Sequence, residues 1–215
     1  MMTIMKCESL GMVQDVVRGW NVRGRRVLLV VPDRTRTCPL AEVFHAVHPA
    51  LVDSGASRVD VMVALGTHAP LPEPVILEHL GITPKEREGA YRNVRLLNHA
   101  WNDPAQLTSL GVIPSADIAA LSDGLFSMDV EVRVNRVVRD YDLLVVLGPV
   151  FPHEVAGFSG GNKYFFPGIS GPEVLNFFHW LGAVITNPRI IGYKHTPVRA
   201  VIDRAASMIP AERKA

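Results

Sequence analysis

His68 in GTH, His153 in PHEVAGFSGG, Lys163 in NKYFFPG and His179 in NFFHW are the side chains best suited to chemistry in this sequence. An imidazole can move protons near neutral pH. A lysine set in aromatic sequence is partly desolvated, which lowers its pKa and favours the neutral, nucleophilic amine. Around that lysine, Gly157, Gly160 and Gly161 let the backbone reach positive φ and bring its N–H groups up to an anion. Ser159 lies within the same loop. Asp33 and Arg36, in DRTR, add a carboxylate and a guanidinium suited to binding phosphate or carboxylate. Two histidines on one edge of a sheet can act as acid and base on opposite faces of a substrate.

Familiar motifs do not account for this set. The glycine loop matches neither GxGxxG nor the P-loop pattern, so ordinary dinucleotide or ATP binding is not indicated. HExxH is absent, and no two histidines have the spacing of a zinc motif, so a metal needs ligands gathered by the fold or brought by a cofactor. Ser159 follows Phe158 rather than fitting GxSxG, which disfavours a serine hydrolase. His45, His48 and His79 fall on expected helices and read as structural, and His195 is undecided. Cys7 and Cys38 read as buried or free thiols, not a disulfide.

These residues need a scaffold. The chain has 215 residues, enough for one domain with a real core. Its 22 Lys and Arg against 21 Asp and Glu give no electrostatic case for nucleic acid or an anionic membrane. No apolar run approaches a membrane span, and MMTIMKCESLGM lacks a signal-peptide pattern; a cytoplasmic location is expected. Continuous apolar runs at Arg25–Asp33, Arg58–Gly66, Asn93–His99 and Leu143–Leu147 read as buried strands. Helices are expected over 39–54, 73–80 and from Thr196, with Pro197 at the first helical position. The segment to Val22 suggests one helix or edge strand, the alternation within Asp117–Val138 an exposed or antiparallel strand or a hairpin arm, and the stretch past His179 a loop. The alternation predicts an α/β, Rossmann-like fold with a mostly parallel sheet and helices on both faces. Asp33, His68, His99 and His153 then lie at or just past strand C-termini, where open α/β sheets bind ligands.

The pattern DRTR, GTH, NH, PHEVAGFSGGNKYFFPGISG and a downstream histidine, over about Val27–Met208, resembles the N-terminal domain of the lactate racemase family. These are 2-hydroxy-acid racemases and epimerases that use a nickel-pincer nucleotide. The resemblance implies that Lys163 carries this cofactor covalently and that His179 completes the nickel coordination. It implies His68 and His153 as the acid/base pair, Asp33 and Arg36 as contacts to cofactor or substrate, and Gly157, Ser159, Gly160 and Gly161 beside the nucleotide phosphate. Two departures are local: Ala69 stands where the family has arginine after GTH, and Thr37-Cys38 intervene before Pro39.

The resemblance also implies partners: a small 2-hydroxy-acid substrate, the enzymes that make the cofactor, and a C-terminal domain that closes the site. Cofactor is expected to be absent from protein made without those enzymes. The sequence ends at Ala215 without a second domain, PAERKA reading as a cut within a longer chain. A single domain with little activity alone is the expectation, with an exposed apolar face able to form a homodimer. Two other readings stand beside this one. Lys163 suits a Schiff-base enzyme acting on keto or sugar acids. Without a role for the paired histidines, the loop suits a non-catalytic anion- or nucleotide-binding module.

Overall fold

A computed structural model describes residues 7–214, excluding the side chains of 7–9, so the reading of Cys7 and of the first six residues lies outside it. Helix α1 (Cys7–Arg18) is followed by β1 (Arg26–Pro32), α2 (Leu40–Asp53) and β2 (Arg58–Ala64). Then come α3 (Glu73–Leu80), a short α4 (Pro84–Glu88), β3 (Leu96–Asn98), β4 (Leu107–Ile113), α5 (Ser115–Leu121) and β5 (Val130–Asn135). The second half holds β6 (Leu143–Val146), a two-residue pair β7 (Pro152–His153) and β8 (Gly157–Phe158), α6 (Pro172–Ile185), α7 (Pro197–Ala206) and β9 (Glu212–Lys214). No helix among the described residues is long and apolar enough to cross a membrane.

β1 is central because its apolar run is buried from end to end. It pairs in parallel with β2 on one side, Val27 opposite Val59, and with β6 on the other, Val27 opposite Leu143. The sheet runs β3-β2-β1-β6-β9, with every pairing parallel. Successive side chains point to opposite faces, so a run apolar at every position needs cover on both. Val27, Leu29 and Val31 pack with Phe44 and Leu51 of α2, while Leu28 and Val30 pack with Phe177 of α6 and Val201 of α7. The fold is α/β, with a parallel sheet between two helical layers.

Strand order reverses at β1. The chain builds outward through β2 and β3, then returns to add β6 on the opposite side. Loops leaving the C-terminal ends of β1 and β6 therefore diverge and open a crevice between them.

Some elements differ from the sequence reading. α6 runs on to Ile185 where a loop was expected past His179. A Cβ on Gly182 would meet Val155 Cγ1 at 2.6 Å, so its small size lets the loop after β7 sit against the helix. β4 lies outside the expected elements, while α5 (Ser115–Leu121) makes the start of the expected 117–138 strand segment helical; β4 carries a bulge between Ser109 and Gly111 that interrupts the two-residue alternation. Its antiparallel partner β5 falls within the expected 117–138 segment.

Candidate active site

The C-terminal ends of β1 and β2, the β7–β8 turn, the Lys163 loop and one face of α6 enclose a cleft of about 220 Å³. Asp33, Arg36, His68, His153, Ser159, Gly160, Lys163 and His179 all line it, from segments up to 146 residues apart (179 − 33). Gly157 and Gly161 lie outside its wall.

Asp33 leaves β1 buried and is gripped by its own turn. Oδ1 accepts from the Thr35 N–H at 3.1 Å and the Thr35 hydroxyl at 2.6 Å, and Oδ2 pairs with Nδ1 of His68. Burial pushes the carboxyl pKa up, but the bonds from Thr35 and His68 outweigh it, and the net shift is downward. The carboxylate is ionised at neutral pH, so His68 Nδ1 is the donor and its Nε2 carries the lone pair. His68 is set by a tight turn, its N–H bonded to Leu65 O, with Gly66 at φ 56.

His153 is 7% exposed. Its Nδ1 accepts from the N–H groups of Val155 at 3.0 Å and Ala156 at 3.3 Å. Burial, then the charge of Lys163, pushes its pKa down to about 4, so the ring is neutral at pH 7. Lys163 is half-buried, its Nζ 5.6 Å from the centre of the Phe178 ring. Burial first, and then the charges of Arg36 and Arg199, bring its pKa down to about 8. His179 donates from Nδ1 to the carbonyl of Leu175 at 2.8 Å, one turn back on α6, which leaves Nε2 free for a ligand.

The loop between β7 and Lys163 is held by α7. Arg199, which the sequence reading passes over, donates to the carbonyls of Phe158, Ser159 and Gly160. Asn162 donates to Asp203 at 2.9 Å, and Thr196 donates to the Ala156 carbonyl while capping α7. No motif marks Arg199; only the packing of α7 against the loop reveals it. Ser159 is occupied too, its hydroxyl accepting from Phe151 N–H and donating to Pro149 O. The glycines serve packing as well as conformation: Gly157 has φ 89, and a Cβ on it would lie 2.0 Å from the Tyr193 carbonyl. Gly160, at φ 84, would meet Val150 Cγ2 at 2.5 Å.

His99 stands apart from the cleft. It is 2% exposed, donates to Ser170 O at 3.0 Å and accepts from the Asn135 amide at 3.3 Å, tying the end of β3 to β5. His45 and His79 likewise bond to backbone carbonyls, of Gly81 and Pro32. His195 is exposed, and Cys38 is a free thiol.

A parallel α/β sheet with a polar cleft at its strand-order reversal defines a ligand-binding or catalytic domain. The family profile for the lactate racemase N-terminal domain matches residues 14–190, and the chain belongs to that family. It is 26% identical over 182 residues to the lactate racemase of Lactiplantibacillus plantarum, covering 82% of this chain and 36% of the relative. With the lactate racemase of Thermoanaerobacterium thermosaccharolyticum it shares 24% over 208 residues, 94% of this chain and 41% of that one. The chain thus spans less than half the length of these relatives. Among solved structures, a Thermotoga maritima protein superposes with a TM-score of 0.82 at 29% identity, over 95% of this chain and 48% of that one. The lactate racemase apoprotein of T. thermosaccharolyticum superposes with a TM-score of 0.68 at 20% identity, over 93% and 43%, a likeness of fold.

Proposed function

We propose that this chain is the cofactor-binding and proton-transfer part of a 2-hydroxy-acid racemase or epimerase that works by hydride transfer to a nickel-pincer nucleotide. The observation that carries the reading is a half-buried lysine with a lowered pKa sharing one cleft with two histidines whose Nδ1 atoms are already engaged and with His179, whose Nε2 is free. The donor set fits such a group. No cluster of three metal-ligating side chains exists among the described residues, so a metal here must bring its other ligands with it. Lys163 would hold the cofactor through its amine, and His179 Nε2 would complete the metal's coordination. When bound, the group supplies the hydride acceptor that a carbon without an acidic C–H needs.

The chain's own residues supply the rest. Arg36, which has no ion pair among the described residues, offers a fork of donors to a carboxylate or phosphate. His68, backed by Asp33, takes the hydroxyl proton through Nε2. His153 presents its ring to the same space. A second domain closing over the cleft, to exclude water, belongs to the same proposal.

Intact-mass spectrometry with nickel analysis, on protein co-expressed with cofactor-making enzymes, tests the reading. A nucleotide-sized adduct mapping to Lys163, with stoichiometric nickel lost in His179→Ala, is the expected result. An unmodified lysine without nickel, where a known family enzyme is loaded in parallel, would sink it. The lowered amine pKa also suits a Schiff-base lysine; borohydride trapping of Lys163 with a keto acid would then become the decisive result.

A further inference from the structure

We infer that Arg199 is a positioning residue: from outside the cleft it sets the peptide planes of the glycine loop, so that the loop presents N–H groups to an anionic ligand and anchors Lys163. That the anion is the phosphate of a nucleotide cofactor rests on the function proposed above. The orientation of the loop rests on bonds within this chain.

Arg199 lies on α7, past residue 190, where the match to the family profile ends. No residue of α7 lines the cleft, whereas Ser159, Gly160 and Lys163 do, so the loop stands between helix and cleft. The half-buried guanidinium donates through Nη2 to the carbonyls of Phe158 and Ser159, and through Nη1 to that of Gly160 at 3.3 Å. Three successive carbonyls are therefore turned toward α7. A trans peptide is planar, with its N–H opposite its C=O. The N–H groups of Ser159, Gly160 and Gly161 share those planes and point away from the helix. That of Ser159 is taken by Phe151 O at 2.8 Å. Those of Gly160 and Gly161 have no partner among the described residues, and both glycines hold positive φ, 84 and 54. Adjacent free N–H groups on the side of the loop facing away from α7 form a receptor for an anionic oxygen.

The same bonds reach Lys163. Its N–H donates to Gly160 O at 3.2 Å, the carbonyl that Arg199 also holds. On its other side, Gly168 N–H donates to Lys163 O at 3.3 Å. One fork thus fixes both the receptor and the base of the lysine beside it. A guanidinium suits this task because its donors lie in one plane, whereas an ammonium is a point charge without a fork. Thr196 differs: it bonds Ala156 O and caps α7, but touches none of the three peptide planes.

NMR of the ¹⁵N-labelled, cofactor-free chain, titrated with inorganic phosphate, tests the inference. In the wild type the Gly160 and Gly161 amide signals are expected to shift most and to saturate together. Arg199→Lys keeps the charge and loses the fork, and is expected to weaken phosphate binding about tenfold. Arg199→Gln, a second variant in case the first does not fold, is expected to weaken it at least as much. Thr196→Val is expected to lower the melting temperature with phosphate affinity unchanged, which separates loss of stability from loss of position. Wild-type shifts centred away from these two amides, Arg199 variants that bind as wild type, or equal weakening by Thr196→Val would each overturn the inference. In protein co-expressed with cofactor-making enzymes, Arg199→Lys is expected to carry about tenfold less adduct at Lys163 than wild type. A wild type without adduct would tell against the proposed function, while the phosphate titration would still decide the role of Arg199.

Discussion

At a pH where an ordinary lysine, with its pKa of 10.5, is fully protonated, the Lys163 amine, pushed down to about 8 by burial and by Arg36 and Arg199, has a sizeable neutral fraction. This is testable without any cofactor. Under dilute acetic anhydride, acetylation of Lys163 is expected to rise with a midpoint near pH 8, as read by peptide mass spectrometry. Glu154 opposes the downward shift, so Glu154→Gln is expected to move the midpoint to lower pH. A midpoint near 10.5 in the wild-type protein would mean that the amine is solvated, and a nucleophilic role would lose its basis.

Between the residue and the whole molecule, the decisive element pair is α7 and the loop it holds. Thr196, Arg199 and Asp203 lie on successive turns of one helical face, and each bonds to the segment between Ala156 and Asn162. Gly157 is the tightest point of that segment. Gly157→Ala is expected to cost about 3 kcal/mol, through a forced clash with the Tyr193 carbonyl and an unfavourable φ of 89. Gly161→Ala, at φ 54 with nothing within 4 Å of its Cβ, is expected to cost about 1 kcal/mol. Urea unfolding midpoints separate the two. Equal costs would show that the loop is not clamped against the 190s segment.

Over the whole molecule, three buried histidines make folding acid-sensitive. His48, His99 and His153 each have a pKa pushed down to about 4, in each case chiefly by burial. The unfolded chain binds protons at these sites near 6.5, so it gains protons first as the pH falls. Stability from these sites is complete above about 6.5 and is lost as the pH drops toward 4. The melting temperature is expected to fall on the order of 10 °C across that window. His48 packs between Phe44 and Tyr91, and its Nε2 lacks a partner among the described residues. His48→Phe is therefore expected to flatten part of the slope; an unchanged slope would exclude His48 as a contributor.

Much of this was legible along the chain because it depends on local rules. β1, β2 and β6 announce themselves as continuous apolar runs, α3 stops at Gly81 in the left-handed conformation, and Thr196-Pro197 starts α7. The candidate site was also largely readable, since strand ends in a parallel sheet share one edge and eight of ten named residues line one cleft. What sequence could not supply was any fact that depends on contact. His99 ends a strand like His68, yet it is buried against Ser170 and Asn135 because β5 folds over it. Arg199 has no motif, because its meaning lies in three carbonyls some forty residues away. The proton positions on His68 and His153 are of the same kind: residue type fixes that an imidazole can hold a proton, and only the tertiary neighbours, a carboxylate for one and two backbone N–H groups for the other, decide on which nitrogen.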